Sequence, residues 1–253
     1  MLAIIGGRGL TQLANLKITH QQVMRTPYGE PSGAFMFGTL DQHEVIFLAR
    51  HGYGHTIPPH LVNYRANLWV LREQGASKVI SVATVGGIRA DLKPGVIVVP
   101  DQIIDYTHGR DATYFEARDK PFSNADFTFP YSSTLRSQIL RGAKIAQQPC
   151  AGGGVYAATQ GPRLDSIAEV NRYERDGADM VGMTGMPEAA LAKNWNLIMR
   201  PLQWWRITRR GAATARPAST SKASMPPPVQ RWSGCAVFSS AWLIARMMIR
   251  NGD

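Results

Sequence analysis

Residues 44–60 read EVIFLARHGYGHTIPPH, an apolar run that leads directly into one arginine, three histidines and two glycines. The apolar part is typical of a strand that is buried on both faces of a sheet. Ligands of open α/β sheets bind outside the carboxyl ends of such strands. There, Arg50 offers a planar fork of donors and His51 a further donor, and both suit an oxyanion such as phosphate. The stretch therefore predicts an α/β fold with an anion site at the end of this strand.

The rest of the chain alternates strand and helix signals around this strand. Apolar runs bounded by glycine, proline or charge predict strands at 2–5, 78–85, 95–100 and 154–158. Helical spacing and cap residues predict helices at 62–75, 133–146 and 165–176, with Asp165 as the N-cap of the last. This alternation indicates a single α/β domain in which helices flank a mixed central sheet.

The chain has three turns of small residues: GGRG at 6–9 and ATVGG at 83–87, each at the end of a predicted strand, and GMTGMP at 182–187. Backbone N–H groups converge in such turns, and glycine lets an anion approach closely. The third turn precedes a predicted helix whose positive N-terminus would face the anion. Taken alone, Thr184 also fits the N-cap of that helix, and Met183 fits the core. Together with Arg50 and His51, the three turns predict one phosphate-binding crevice.

The histidine cluster raises the alternative of a metal site. Neither a carboxylate nor a cysteine lies within residues 50–60 to complete a ligand set, so no metal is expected. The chain has two cysteines, Cys150 and Cys235, which are too few for a disulfide framework. This usage favours a reducing cytoplasm.

Positive charge is concentrated at the C-terminal end of the chain. Of the net charge of +10, residues 1–190 carry +1 and residues 191–253 carry +9, together with five of the six tryptophans. Cationic residues interleaved with aromatics favour a module that binds nucleic acid or an anionic membrane. However, the segment has no recognised groove-reading motif, and no apolar run reaches the roughly 20 residues of a spanning helix. We expect neither a nucleic acid nor a membrane as partner.

Seven motifs, in order and with regular spacing, resemble the family of trimeric purine nucleoside phosphorylases and methylthioadenosine phosphorylases, particularly its bacterial S-methyl-5′-thioinosine phosphorylase branch. The resemblance covers residues 1–193. The motifs are IIGGRGL at 4–10, TPYGEPSG at 26–33, ARHGYGHTIPPHLVNYRAN at 49–67, VGGIRADLKPG at 85–95, DQIIDYT at 101–107, TQGPRLDSIAE at 159–169 and GMTGMPEAALAK at 182–193.

The resemblance implies phosphorolysis of a purine nucleoside, with inorganic phosphate as co-substrate and no metal or organic cofactor. It implies purine salvage, a homotrimer and a nucleoside phosphorylase domain over 1–193. It also assigns phosphate contacts to Arg50, His51, Ala83, Thr84 and Thr184, a sugar contact to Met183 and a position near the base to Asp165.

Two departures from the family pattern concern the site itself. Position 8, which in relatives carries a phosphate-binding hydroxyl, holds Arg8, whose guanidinium can bind the anion or fill its pocket. Relatives also continue with an Ala/Val-rich strand that ends in an Asn or Asp that recognises the base. Here Ile207, Thr208 and Arg209 fall where that strand would end.

A shifted reading frame restores the expected text. Read with the last base of each codon and the first two of the next, Trp204-Trp205 must encode valine and Trp205-Arg206 can encode alanine. Over the whole segment the alternate text continues the helix and builds the missing strand with a polar end. We therefore interpret 194–253 as an aberrant, poorly ordered tail translated out of frame, with an authentic lineage-specific tail as the alternative.

The expected activity has one near alternative. A hydrolytic nucleosidase would cleave the same bond with water, but the Arg50-His51 pair and the phosphate-like turns favour phosphorolysis. In the shifted frame Arg206-Ile207 can encode asparagine or aspartate, and asparagine there would favour a 6-oxopurine such as S-methyl-5′-thioinosine. For the chain as it stands, we expect impaired turnover because the base-recognising strand is missing.

Overall fold

The computed structural model describes residues 1–7, 16–40, 42–115, 124–194 and 198–207, the last range by its backbone alone. Across these residues one mixed sheet of eleven strands is flanked by four α-helices. The strands are β1 (Leu2–Gly6), β2 (Lys17–Gln22), β3 (Phe35–Leu40), β4 (His43–Ala49), β5 (Lys78–Gly87), β6 (Ile97–Val99), β7 (Gln102–Asp105), β8 (Cys150–Gly152), β9 (Val155–Ala158), β10 (Met180–Gly182) and β11 (Ile198–Ile207). The helices are α1 (Tyr64–Glu73), α2 (Ser133–Ile145), α3 (Ile167–Arg175) and α4 (Glu188–Asn194).

The sheet is buried on both faces at its centre. Strand β1 lies between β4 and β5, parallel to both, and its alternate side chains enter different cores. Ile5 packs in the cluster that contains α1 and α4, whereas Ile4 packs in the cluster that contains α2. The predicted mixed sheet with flanking helices is confirmed. The strands predicted at 2–5, 78–85, 95–100 and 154–158 are found as β1, β5, β6 and β9, and the predicted strand that ends at Ala49 is β4.

Strands β2, β3, β7, β8 and β10 were not expected from the sequence. All of them except β3 have a physical reason. Strand β2, KITHQQ, is exposed throughout, so burial imposes no apolar pattern on it. The other three have only three or four residues, which is too short for a periodic signal.

The start of helix α3 corrects one prediction. Its N-cap is Ser166, not Asp165. The Ser166 hydroxyl accepts from the N–H of Glu169, and the Glu169 carboxylate accepts from the N–H of Ser166, which forms a reciprocal capping box. This arrangement leaves the side chain of Asp165 to point elsewhere.

Strand β5 has an opening along one edge. Its other edge pairs with β11 from Lys78 to Gly86. On the edge in question, parallel β1 pairs only as far as Ser81, and antiparallel β10 begins at Gly86. Between Val82 and Val85 no strand of the described residues pairs with this edge, so the sheet opens where the direction of its neighbours reverses. Such switch points are where α/β sheets bind ligands.

Strand β11 lies where the resemblance calls for an Ala/Val-rich strand, although its sequence is IMRPLQWWRI. It pairs with β5 in parallel and with β6 in antiparallel orientation. Ile207 ends it, whereas Thr208 and Arg209 lie outside the described residues. The interpretation of 194–253 as an out-of-frame tail stays a prediction.

None of the helices in the described ranges has the length and apolar character needed to cross a bilayer.

Candidate functional site

Arg50, at the end of β4, is held in a corner of buried polar groups. Its Nε donates to Glu188 Oε2 at 2.7 Å, and its Nη2 donates to Glu188 Oε1 at 2.9 Å and to Ser81 Oγ at 2.7 Å. Its Nη1 donates to the carbonyl of Val82 at 3.0 Å. We call Arg50, Ser81, Val82 and Glu188 the Arg50 corner. Burial lowers the pKa of Arg50, but the Glu188 carboxylate outweighs this effect and raises the pKa overall.

This corner limits what Arg50 can offer a ligand. A guanidinium has five N–H donors, and four of them are used by the fold, so one Nη1 N–H remains among the described residues. The main chain of Gly7 lies directly over that atom: a Cβ at Gly7 would stand 3.0 Å from Nη1 and 2.7 Å from the carbonyl oxygen of Val82. The glycine of the first turn is therefore required by the close approach of β1 and β5.

The predicted phosphate residues of β5, Ala83 and Thr84, lie in the opening of that strand. The Cα of Ala83 is 3.2 Å from where a Gly7 Cβ would be, so the first and second turns meet here. The predicted convergence of these two turns with Arg50 is thus seen in the structure. Arg8 lies outside the described residues, and its phosphate contact stays a prediction.

His51 is buried in a closed loop next to Arg50. Its Nδ1 is 2.8 Å from the carbonyl oxygen of Ile57, and the N–H of Ile57 donates back to the carbonyl of His51 at 3.1 Å. Since a carbonyl only accepts, Nδ1 carries the proton of a neutral ring. His51 can therefore donate from Nε2 only as an imidazolium, which qualifies its expected role as a second donor.

The turn at 182–187 is organised by Tyr156, a buried residue of β9. Its hydroxyl accepts from the N–H groups of Thr184, at 3.3 Å, and Gly185, at 3.2 Å. A Cβ at Gly182 would lie 2.6 Å from the same hydroxyl, so this glycine makes room for it. Burial raises the pKa of Tyr156, which keeps the phenol protonated.

One expectation about this turn is wrong. Helix α4 begins only at Glu188, so Thr184 is not its N-cap. The helix has seven residues, and the carboxylate in its first turn binds Arg50. That its N-terminus faces an anion stays a prediction. The N–H groups of Thr184 and Gly185 are engaged by Tyr156. The hydroxyl of the buried Thr184 also bonds to this phenol, and we expect this hydroxyl to be the group by which the turn meets an anion.

Met183 and Asp165, the predicted sugar and base residues, lie on two turns that touch. The side chain of Met183 covers Gly161, where a Cβ would stand 2.6 Å from Sδ. Asp165 accepts from the Tyr173 hydroxyl at 3.2 Å and from the Thr159 hydroxyl at 3.5 Å. The N–H of Thr159 donates to the carbonyl of Gly182 at 2.7 Å, which ties the two turns together. Burial raises the pKa of the Asp165 carboxyl.

Three site residues were missed by the sequence reasoning: Glu188, Tyr156 and Arg110. Glu188 follows the predicted turn and was treated as a helix-start residue only, although a buried arginine requires a carboxylate partner. Tyr156 stands in a strand and gives no sign of its bonds. Arg110 stands in the loop after β7, outside every motif, and donates to the carbonyls of both substrate-side turns.

Within the described ranges, no three His, Cys, Asp or Glu side chains lie close enough together to hold a metal ion. The arrangement instead offers the remaining N–H of Arg50 at the opening of β5 and the hydroxyl of Thr184. The carboxylate of Asp165 and the thioether of Met183 belong to the two joined turns. Such a site can hold a small anion next to a polar, ring-shaped ligand.

Comparisons with known proteins show which family the chain resembles. The family described as the phosphorylase superfamily matches residues 2–197. A probable S-methyl-5′-thioinosine phosphorylase of Xanthomonas campestris is 50% identical over 196 residues, which is 78% of each chain. A 6-oxopurine nucleoside phosphorylase of Pyrococcus furiosus is 40% identical over 76% of this chain and 73% of its own. A methylthioadenosine phosphorylase from Schistosoma mansoni in complex with adenine superposes with a TM-score of 0.78 at 29% identity, over 81% of this chain and 80% of its own.

Proposed function

The chain belongs to the phosphorylase superfamily, and on this basis we propose that it is a purine nucleoside phosphorylase acting on S-methyl-5′-thioinosine or a related 6-oxopurine nucleoside. A phosphate oxygen attacks the anomeric carbon of the sugar as the bond from that carbon to the purine nitrogen breaks. The bonding pair leaves with the purine, which takes up a proton. The products are the free purine and ribose 1-phosphate, or its methylthio derivative.

The observation that carries the proposal is the opening in β5. Gly7, Ala83 and the remaining Nη1 donor of Arg50 meet there, at the edge from which β1 and β10 diverge. We place phosphate at this opening, with the hydroxyl of Thr184 as a further donor. A pre-arranged set of donors lowers the barrier, because it fixes the nucleophile without reorganisation.

Asp165 supports the choice of a 6-oxopurine. A 6-oxopurine has an N–H at N1, whereas a 6-aminopurine has an acceptor there. A carboxylate accepts from the first and repels the second. Tyr173 and Thr159 donate to the Asp165 carboxylate, which favours its ionised, accepting form and partly offsets the burial that raises its pKa. We assign Met183 to the sugar, since it directly precedes Thr184 and its side chain packs on Gly161 of the turn that leads to Asp165.

Three features remain part of the proposal. The enzyme acts in purine salvage in the cytoplasm, uses no metal or organic cofactor, and assembles as a homotrimer. Turnover is reduced in this chain, because IMRPLQWWRI brings no Asn or Asp to the base at the end of β11. The domain of 1–193 thus binds both substrates, and the tail affects release of the purine.

The test measures release of hypoxanthine from inosine or from S-methyl-5′-thioinosine by the full chain, with and without phosphate. Release that needs phosphate, with stoichiometric sugar 1-phosphate, is expected. Equal release without phosphate would identify a hydrolytic nucleosidase instead. Thr184→Val removes a hydroxyl without changing shape and should raise the KM for phosphate about tenfold or more, whereas Thr184→Ser should not.

A further inference from the structure

Arg110 holds the turns that carry the proposed sugar and base residues. Its Nη1 donates to the carbonyls of Met183, at 2.9 Å, and Met186, at 2.6 Å. Its Nη2 donates to the carbonyls of Gln160, at 2.7 Å, and Thr159, at 3.3 Å. One guanidinium therefore bridges two segments that are more than twenty residues apart in sequence. We call these four carbonyls and Arg110 the Arg110 clamp.

The guanidinium is also fixed on its remaining sides. Its Nε donates to the side-chain carbonyl of Gln160 at 3.2 Å, and its Nη1 lies 3.3 Å from the Tyr64 hydroxyl. The carbon at the centre of the guanidinium stands 5.6 Å from the centre of the Tyr64 ring. Among the residues that the structure describes, no carboxylate forms an ion pair with Arg110, so its interactions are directed at main-chain oxygens.

The clamped carbonyls belong to residues that bear directly on the proposed substrate. Thr159 gives its carbonyl to Arg110 and its hydroxyl to Asp165, so the clamp is one residue from the proposed base contact. Met183 gives its carbonyl to Arg110, while its side chain covers Gly161 on the opposite turn. The guanidinium therefore ties the turn of the proposed sugar residue to that of the proposed base residue, in addition to the bond from the Thr159 N–H to the Gly182 carbonyl.

We propose that Arg110 is a positioning residue that sets the spacing between Met183 and Asp165 and thereby the affinity for the nucleoside. This inference rests on the proposed function. Arg110 acts through the two turns and touches no reacting atom. It governs the nucleoside half of the site, and the phosphate half is governed separately by Tyr156.

Tyr156 provides the contrast that makes the inference specific. It holds the same turn from the other side, through the N–H groups of Thr184 and Gly185, and so fixes the proposed phosphate hydroxyl. Arg110 takes the carbonyls that flank those groups. Loss of Arg110 should therefore weaken nucleoside binding, whereas loss of the Tyr156 hydroxyl should weaken phosphate binding.

The experiment measures binding of inosine and of inorganic phosphate separately, by titration calorimetry on the full-length chain, so that it does not depend on turnover. Arg110→Gln should raise the Kd for inosine about tenfold and that for phosphate less than twofold. Tyr156→Phe should show the reverse pattern. Arg110→Lys keeps the charge but has no fork to span four carbonyls, so it should resemble Arg110→Gln; if the Gln variant does not fold, the Lys variant provides the test.

Arg89→Gln is the matched control. Arg89 is half-buried at the opposite end of β10, where it pairs with Asp91 and Asp179, and its loss should leave both Kd values unchanged. Hydrogen exchange of the 183–187 segment should speed up in Arg110→Gln and not in Arg89→Gln.

The outcomes separate this inference from the proposed function. If Arg110→Gln and Arg110→Lys weaken both ligands equally, or neither, the positioning role is wrong. If Arg110→Gln weakens inosine binding and Tyr156→Phe weakens phosphate binding, but the wild-type chain forms no sugar 1-phosphate, the positioning role stands and phosphorolysis is wrong. If the wild-type chain binds neither ligand, both are wrong.

Discussion

The Arg50 corner and the Arg110 clamp use the same side chain in opposite ways. Arg50 is fully buried and takes its partners from side chains, above all a bidentate carboxylate. Arg110 is only half-buried and takes main-chain carbonyls. Removing a partner from a buried ion pair leaves a charge without compensation, whereas an arginine near solvent is rehydrated when its contacts are lost. The first arginine therefore stabilises the fold, and the second fixes the two turns that carry the proposed nucleoside contacts.

The largest expected effect follows from the carboxylate of the Arg50 corner. Glu188→Ala leaves the Arg50 charge buried and unpaired, and we expect the free energy of unfolding to fall by about 3–5 kcal/mol. Urea denaturation measures this change. Glu73→Ala, which removes a partner from an exposed ion pair with Arg72, is the control and should cost about 0–1 kcal/mol. Equal losses in the two variants would erase the distinction between the corner and an ordinary surface pair.

An intermediate effect is expected at Ser81. Its hydroxyl bonds to both the Arg50 guanidinium and the Glu188 carboxylate in a buried position. Ser81→Ala leaves a donor and an acceptor short of one partner each, at a cost of about 1–3 kcal/mol in urea denaturation. Ser137→Ala, on the exposed face of α2, should change stability by less than about 0.5 kcal/mol. If Ser81→Ala left the free energy of unfolding unchanged, the Arg50–Glu188 ion pair would not need the Ser81 hydroxyl.

The smallest effect concerns two carboxylates beside the Arg110 clamp. Burial raises the pKa of Asp165, so this group stabilises the fold below its unfolded pKa, and that contribution is lost as the pH rises through the folded pKa. Arg163 lowers the pKa of Glu169, so this group stabilises the fold above its unfolded pKa, and that contribution is lost as the pH falls.

The two groups therefore predict stability changes of opposite sign. Relative to the wild type, Asp165→Asn should be slightly more stable at pH 7, and the difference should vanish at pH values below about 4. Glu169→Gln should be slightly less stable at pH 7, and that difference should also vanish in acid. Thermal unfolding across this pH range measures both, and two variants with parallel profiles would contradict the assignment of causes.

The comparison also explains how far sequence reasoning reaches. Strands such as β4 and β5 could be predicted because burial on both faces selects continuous apolar runs, which are local. The anion site could be predicted because glycine turns at strand ends are local too. The sequence predicts that Arg50 binds an anion, because its motif contains donors but not their partners. The carboxylate that actually accepts from Arg50 belongs to Glu188, which lies 138 positions away.

The Arg110 clamp shows the same limit from the other side. A guanidinium that binds main-chain carbonyls requires no particular side chain in its partner residues. No sequence pattern therefore predicts these hydrogen bonds. Thr184 and Tyr156 illustrate a further difficulty, since a tyrosine hydroxyl that accepts from backbone N–H groups leaves no trace in either sequence segment. Asp165 was misread as an N-cap because its neighbour Ser166 has equal capping ability.

Strand β11 carries a last consequence. Its ladder with β5 consists of main-chain hydrogen bonds along Ile198–Ile207, and such bonds do not depend on the identity of the side chains. Even Pro201 has its place opposite Ser81, on a strand whose outer edge meets β6 only at Gln203 and Trp204. The ladder thus forms with a sequence that is not rich in Ala and Val, whereas the proposed recognition of the base would depend on the side chain that stands at the end of β11.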